Sequence, residues 1–249
     1  MVTHYIFMSS DYAGGARVAL DITDEELLKV PVLDGILNGI RAECGEDVAL
    51  STHMIVTDSA DWDSVVKYDP FFEGVVRVDS AAAFSARIKK SRILSGLGVA
   101  NYILSIVRCT HLSLEKLAYF AYADYLCRTQ RRLFEDRIYA FTYGPVVESI
   151  YEAYKRSSYE YVKPLQDSFL HPGIGEMPAK SRILFAHDGI KKLDSINRTI
   201  ERYGGCTAQE LVALTHRSGS PWSSVDSSTP YQVISDDLIR ERHHVECLP

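Results

Sequence analysis

Thr110-His111-Leu112-Ser113-Leu114-Glu115-Lys116-Leu117-Ala118-Tyr119-Phe120-Ala121-Tyr122-Ala123-Asp124-Tyr125 is the stretch that decides how the C-terminal region is read. Leu114, Leu117, Ala118, Ala121 and Tyr125 recur at helical spacing and fall on one face. Thr110 and Ser113 precede them as candidate caps, because a hydroxyl there accepts from the exposed amides of a first helical turn. An amphipathic helix is predicted. On its N-terminal side, Val99, Tyr102, Ile103, Ile106 and Val107 have the same period.

On its C-terminal side, Ile138–Tyr143 is β-branched and aromatic, which predicts a short strand. Gly144-Pro145 is expected to open a helix carrying Val146, Val147, Ile150, Tyr151 and Tyr154, since proline suits a first helical position. Pro164, Pro172, Gly173, Gly175 and Pro178 mark a long connection across residues 163–180. Asp188 is then expected to cap a helix carrying Ile190, Leu193, Ile196 and Ile200, closed by Gly204-Gly205. Thr207-Ala208-Gln209-Glu210 is a capping box that starts another. Ser235 caps a last one through Leu238 and Ile239.

Residues 1–95 alternate differently. His4–Met8, Ala16–Ile22, Val48–Thr57 and Gly74–Val78 read as strands. Thr23 and Ser80 read as helix caps, with the first helix interrupted at Pro31 and resuming to Cys44-Gly45. The fold class expected is α+β: a small acidic α/β domain over residues 1–95 and a mostly helical domain over 96–249, joined near Gly96 and Gly98.

Charge follows the same division. Residues 1–95 hold 9 Lys+Arg and 15 Asp+Glu, whereas residues 96–249 hold 18 of each. A neutral C-terminal region argues against a phosphate-binding surface, which needs clustered cations. Five cysteines, none in a C-x-x-C pair, read as free thiols of a reducing cytoplasm. No apolar run approaches the roughly 20 residues of a membrane helix, and the first residues lack a signal-peptide pattern.

Three blocks then carry a resemblance. They are Leu114–Phe120; Tyr143-Gly144-Pro145-Val146-Val147 with Tyr151-Glu152-Ala153-Tyr154-Lys155; and Thr207–Leu211 with Leu214-Thr215-His216-Arg217 and Pro221-Trp222. In this order and spacing, residues ~99–245 resemble the Panacea, or SocA-like, antitoxin domain. The resemblance implies a compact, mostly helical domain with a small β element. It also implies a role in bacterial and phage toxin–antitoxin pairs: neutralising a cognate protein toxin encoded nearby or, in an adaptor role, presenting it to a protease. Residues 1–95 lie outside it.

Within that frame Tyr122, Tyr143, Pro145, Tyr154, Arg217 and Trp222 are the candidate partner-binding residues. Tyrosine suits an interface because it offers a broad apolar face and a polar tip. Tyr125 lies on the Leu114–Leu117 stripe and is assigned to the core. Turn chemistry alone accounts for Tyr143-Gly144-Pro145, and Trp222 can simply pack beneath the helix that His216 ends. No catalytic, cofactor or metal residues are expected. There is no G-x-S-x-G for a nucleophile, and His243, His244 and Cys247 read as a frayed tail with no second ligand cluster. Two further alternatives stay open. The helix pair around Gly204-Gly205 is a possible DNA reader, although its second helix starts without a cation, and Asp58, Asp61, Asp63 and Asp69 are possible metal-dependent catalysts in the first region.

Overall fold

A computed structural model describes residues 1–12, 15–157, 160–165, 177–225 and 231–248. Two compact units divide them: Met1–Ile93 together with Phe185–His187, and the remainder from Leu94. Helix and small sheets combine in an α+β fold. The expectations placed on Gly14, Tyr159 and residues 166–176 lie outside the described residues.

The first unit is built on a four-stranded sheet. Its strands are β1 (Val2–Asp11), β2 (Ala16–Ile22), β3 (Ser51–Thr57) and β4 (Val76–Val78), in the order β3-β1-β2-β4. Only β2 and β4 run parallel. Period-two alternation sends Phe7, Val18, Leu20 and Ile22 to one face, against α1 (Val30–Cys44) and α3 (Ala81–Ser91). Ile6, Met8 and Ala19 go to the other, against Val65 of α2 (Trp62–Tyr68) and Phe72. Both faces are covered, which explains why β1 reads as a continuous apolar run. Pro31 does not interrupt a helix; it sits in the first turn of α1, where its missing N–H costs nothing. Thr23 accordingly caps no helix, and the Leu27 and Leu28 amides close turns on the Asp24 carbonyl at 2.9 and 3.1 Å.

The second unit is organised around α5 (His111–Thr129), preceded by α4 (Gly96–Ile106). Thirteen of the nineteen α5 residues are buried, including every position from Ser113 to Ala123. One apolar stripe was expected. The helix is instead enclosed on all sides, by α4, α8 (Gly189–Tyr203), α9 (Ala208–Thr215), α10 (Asp236–Arg242) and strand β6 (Gly144–Val147). Gly96 is not a linker residue. A Cβ there would lie 2.5 Å from Val147 Cγ1, so glycine is what lets α4 approach β6.

A small antiparallel sheet completes the unit, in the order β6-β5-β7, with β5 at Ile138–Phe141 and β7 at Gln232–Val233. Pro145 therefore corrects the sequence reading. It belongs to edge strand β6, opposite Ala140, and α6 (Glu148–Tyr154) begins three residues later. A proline lacks a ladder donor, which an edge strand tolerates. The remaining helix, α7, spans Met177–Leu184.

Candidate partner-binding site

The three sequence blocks converge on the β5–β6 hairpin. From α5, the Lys116 ammonium donates to the Pro145 carbonyl at 2.6 Å. The neighbouring Glu115 carboxylate accepts from the Val147 amide at 2.7 Å. His111, one turn earlier, reaches the other Glu115 oxygen at 3.1 Å. Both charged side chains are buried, which costs free energy unless every polar atom is satisfied. Burial raises the Glu115 carboxyl above the ordinary carboxylate range, against the hydrogen bonds from His111 and Val147. Burial lowers Lys116 to about 8, against the charges of Glu115 and Glu246.

The third block also holds the hairpin. Gly144 has φ +98°, and a Cβ on it would fall 2.6 Å from Thr215 Oγ1 and 3.0 Å from Lys116 Cε. The Trp222 indole donates to the Phe141 carbonyl at 2.8 Å, while His216 Nε2 lies 3.3 Å from the Thr142 carbonyl. The Trp222 and His216 rings pack with centroids 3.7 Å apart, at the end of α9 where Trp222 was expected. The blocks thus fix one hairpin in place and project its tip, Thr142-Tyr143, into solvent.

The outer face of this sheet is aromatic. Tyr139 and Phe141 share a face of β5, and Phe141 meets Tyr151 of α6 edge-on at 4.9 Å and Tyr231 at 5.3 Å. With Val146, Glu148 and Glu152 they line an open groove of about 210 Å³. Tyr231 is 68% and Tyr143 65% exposed.

The six residues chosen from sequence separate accordingly. Tyr143 and Arg217 are exposed and Trp222 is half-buried. Tyr122, Pro145 and Tyr154 are buried within the unit. The Tyr122 hydroxyl donates to Asp236 at 2.6 Å and that of Tyr154 to the Lys163 carbonyl at 2.9 Å, so both polar tips are satisfied inside the fold. Glu115, Lys116, Tyr139, Phe141, Tyr151 and Tyr231 were not selected from sequence. Spacing i, i+2 on β5 is the signal that pairs Tyr139 with Phe141.

Arg128, Arg131 and Arg132 pair with Asp124, Asp188 and Asp236 at 3.1, 2.6 and 2.7 Å. One other expectation changes. The turn His243–Val245 is not frayed. His243 and Glu246 are buried and paired at 2.8 Å, and the Tyr119 hydroxyl donates to Glu246 at 2.6 Å. Among the described residues, no group of three or more His, Cys, Asp or Glu side chains could hold a metal ion. No described helix is long and apolar enough to cross a membrane.

Comparison with known proteins agrees with the convergence of the blocks. A relative from Caulobacter vibrioides (strain NA1000 / CB15N), named Antitoxin SocA, is 26% identical over 156 residues, covering 58% of this chain and 79% of the relative. No solved structure matches the chain. Residues 114–223, from the Leu114 that opens the first block to the residue after Trp222 in the third, match the family described as Antitoxin SocA-like, Panacea domain.

Proposed function

We propose that this protein is an antitoxin that neutralises a protein toxin by binding it, in the cytoplasm, with the second unit as its binding domain. The match of residues 114–223 to SocA-like antitoxins is the observation that carries this reading. The hairpin supports it physically: buried charges and a glycine-only turn hold an aromatic face in a fixed shape before any partner arrives, so little ordering entropy is lost on binding. Tyr139, Phe141, Tyr151 and Tyr231, with Tyr143 at the tip, form the contact surface. Rigid exposed tyrosines are typical anchors of protein interfaces. Residues 1–95 form a separate domain outside the matched span.

Co-expression with the product of the neighbouring gene is the test. Growth arrest by that product should be relieved by this chain, and the two should co-purify at stoichiometric amounts. Relief of arrest with shortened toxin half-life and no stable complex would assign the chain instead as an adaptor to a protease. Neither relief nor binding would remove the antitoxin reading.

A further inference from the structure

Five cysteines are present and none is in a disulfide, but their surroundings differ. Cys44 and Cys109 are buried, and burial pushes both thiols up, Cys109 to about 12. Half-buried Cys127 is likewise raised, to about 11, and Cys206 is raised by burial and by Glu210. These four are inert by the ordinary rule that the thiolate is the nucleophile.

Cys247 is the exception. It is half-buried, and its Sγ lies 3.4 Å from the carbonyl and 3.6 Å from Nε2 of His243. The other ring nitrogen, Nδ1, is 2.8 Å from Glu246 Oε1, which also accepts from the Tyr119 hydroxyl at 2.6 Å. The second Glu246 oxygen is buried with no hydrogen-bond partner among the described residues, so the carboxylate keeps unfilled acceptor capacity beside the ring. Arg217 Nη1 donates to the carbonyls of Val245 and Cys247 at 3.2 and 2.9 Å, and Arg202 donates to the next carbonyl, that of Leu248. A nucleophile, an imidazole and an orienting carboxylate are therefore in contact, in order, with two guanidinium groups beside them.

We infer that Cys247 is a peroxide-reactive modification site, a thiolate paired to the His243 imidazolium that Glu246 orients. Burial pushes the Cys247 thiol up, but hydrogen bonds and charge from His243, then the Tyr203 hydroxyl and Arg202, bring it net below the ordinary thiol range. Burial opposes the charge on His243, yet its bonds to Cys247 and Glu246 lift it to about 9. With hydrogen peroxide, the thiolate sulfur attacks one peroxide oxygen and the O–O bond breaks. Sulfur is oxidised by two electrons to a sulfenic acid, and the leaving hydroxide takes the His243 proton to depart as water. Of the two negative partners of His243, the thiolate is thereby lost and Glu246 remains.

Alkylation of the full-length protein by iodoacetamide, followed cysteine by cysteine by mass spectrometry from pH 5 to 9, tests the site. At pH 7, Cys247 should react at least about ten-fold faster than half-buried Cys206, with a half-maximal rate below the ordinary thiol value of roughly 8.5. Peroxide followed by dimedone should label Cys247 first. His243→Gln should move the Cys247 profile upward by at least about one pH unit, with Cys206 as internal control. A wild-type Cys247 profile that overlays that of Cys206 overturns the proposal without any variant, and so does dimedone labelling spread evenly over the thiols.

Discussion

Lys116 and Pro145 are joined by a 2.6 Å hydrogen bond from ammonium to carbonyl, with both residues buried. An ammonium in that position exchanges its hydration shell for one backbone oxygen and the charges of Glu115 and Glu246. Taking it away leaves the Pro145 carbonyl without its donor and both carboxylates without that nearby positive charge. Lys116→Met should therefore cost about 3–5 kcal/mol, the loss expected when one member of a buried charged group is deleted. Urea unfolding of the two proteins measures it, and a loss under 1 kcal/mol would show that the buried charges do not depend on Lys116.

Gly144→Ala meets two penalties at once, a left-handed backbone and a Cβ 2.6 Å from Thr215 Oγ1. A cost of about 1–3 kcal/mol is expected from the backbone conformation alone. A Gly144→Ala, Thr215→Ser double variant keeps the hydroxyl and the clash, so it should recover little; Gly144→Ala, Thr215→Ala should recover part. Thermal unfolding of the three variants separates the terms.

Tyr231 and Tyr122 should behave oppositely. Tyr231→Ala removes an exposed ring and should leave stability within about 0.5 kcal/mol. It should weaken the toxin complex by about 2 kcal/mol, near thirty-fold in Kd, if the aromatic face is the contact. Tyr122→Phe removes a buried hydroxyl from Asp236 and should cost about 1 kcal/mol of stability with unchanged affinity. Calorimetric titration with the toxin and denaturant unfolding together decide it.

The pairing of His243 with Cys247 and Glu246, which outweighs its burial, makes stability depend on pH. His243 is raised from 6.5 to about 9, so its contribution is complete below about 6.5 and disappears as pH climbs through about 9. Lys116, lowered to about 8, acts the other way, its burial penalty easing as pH rises from 8 toward 10.5. Comparing wild type with His243→Gln cancels the Lys116 effect. The melting-temperature gap between them should be widest near pH 6 and narrow toward pH 9.5; a constant gap would mean that His243 gains no proton affinity on folding.

Local signals in the sequence were accurate at most helix starts, but not at Thr23, which caps no helix, nor at Asp188, whose carboxylate pairs with Arg131 and makes no cap bond. Ser80, Thr110, Thr207 and Ser235 each cap the helix they announce, and Thr207 with Glu210 closes the full capping box. Such motifs need only the residues of one turn. Pro145 failed because proline fits a first helical turn and an edge strand equally well, and the choice is made by Ala140 across the hairpin. Glu115 and Lys116 were invisible for a similar reason. A charged pair on a helix is ordinarily solvated, and only the Pro145 carbonyl and Val147 amide, some thirty residues away, make burial tolerable. The resemblance was legible because it rests on those same residues, yet their purpose, clamping one hairpin, needed coordinates.

The bond between Tyr119 and Glu246 spans 127 positions of chain, and Trp222 reaches Phe141 across 81. Closing loops of that length is entropically slow compared with winding a helix. Completion of the core around α5 therefore depends on segments far apart in sequence finding it. If the chain has the antitoxin role proposed above, a variant that folds more slowly would protect less well soon after synthesis even with unchanged affinity at equilibrium.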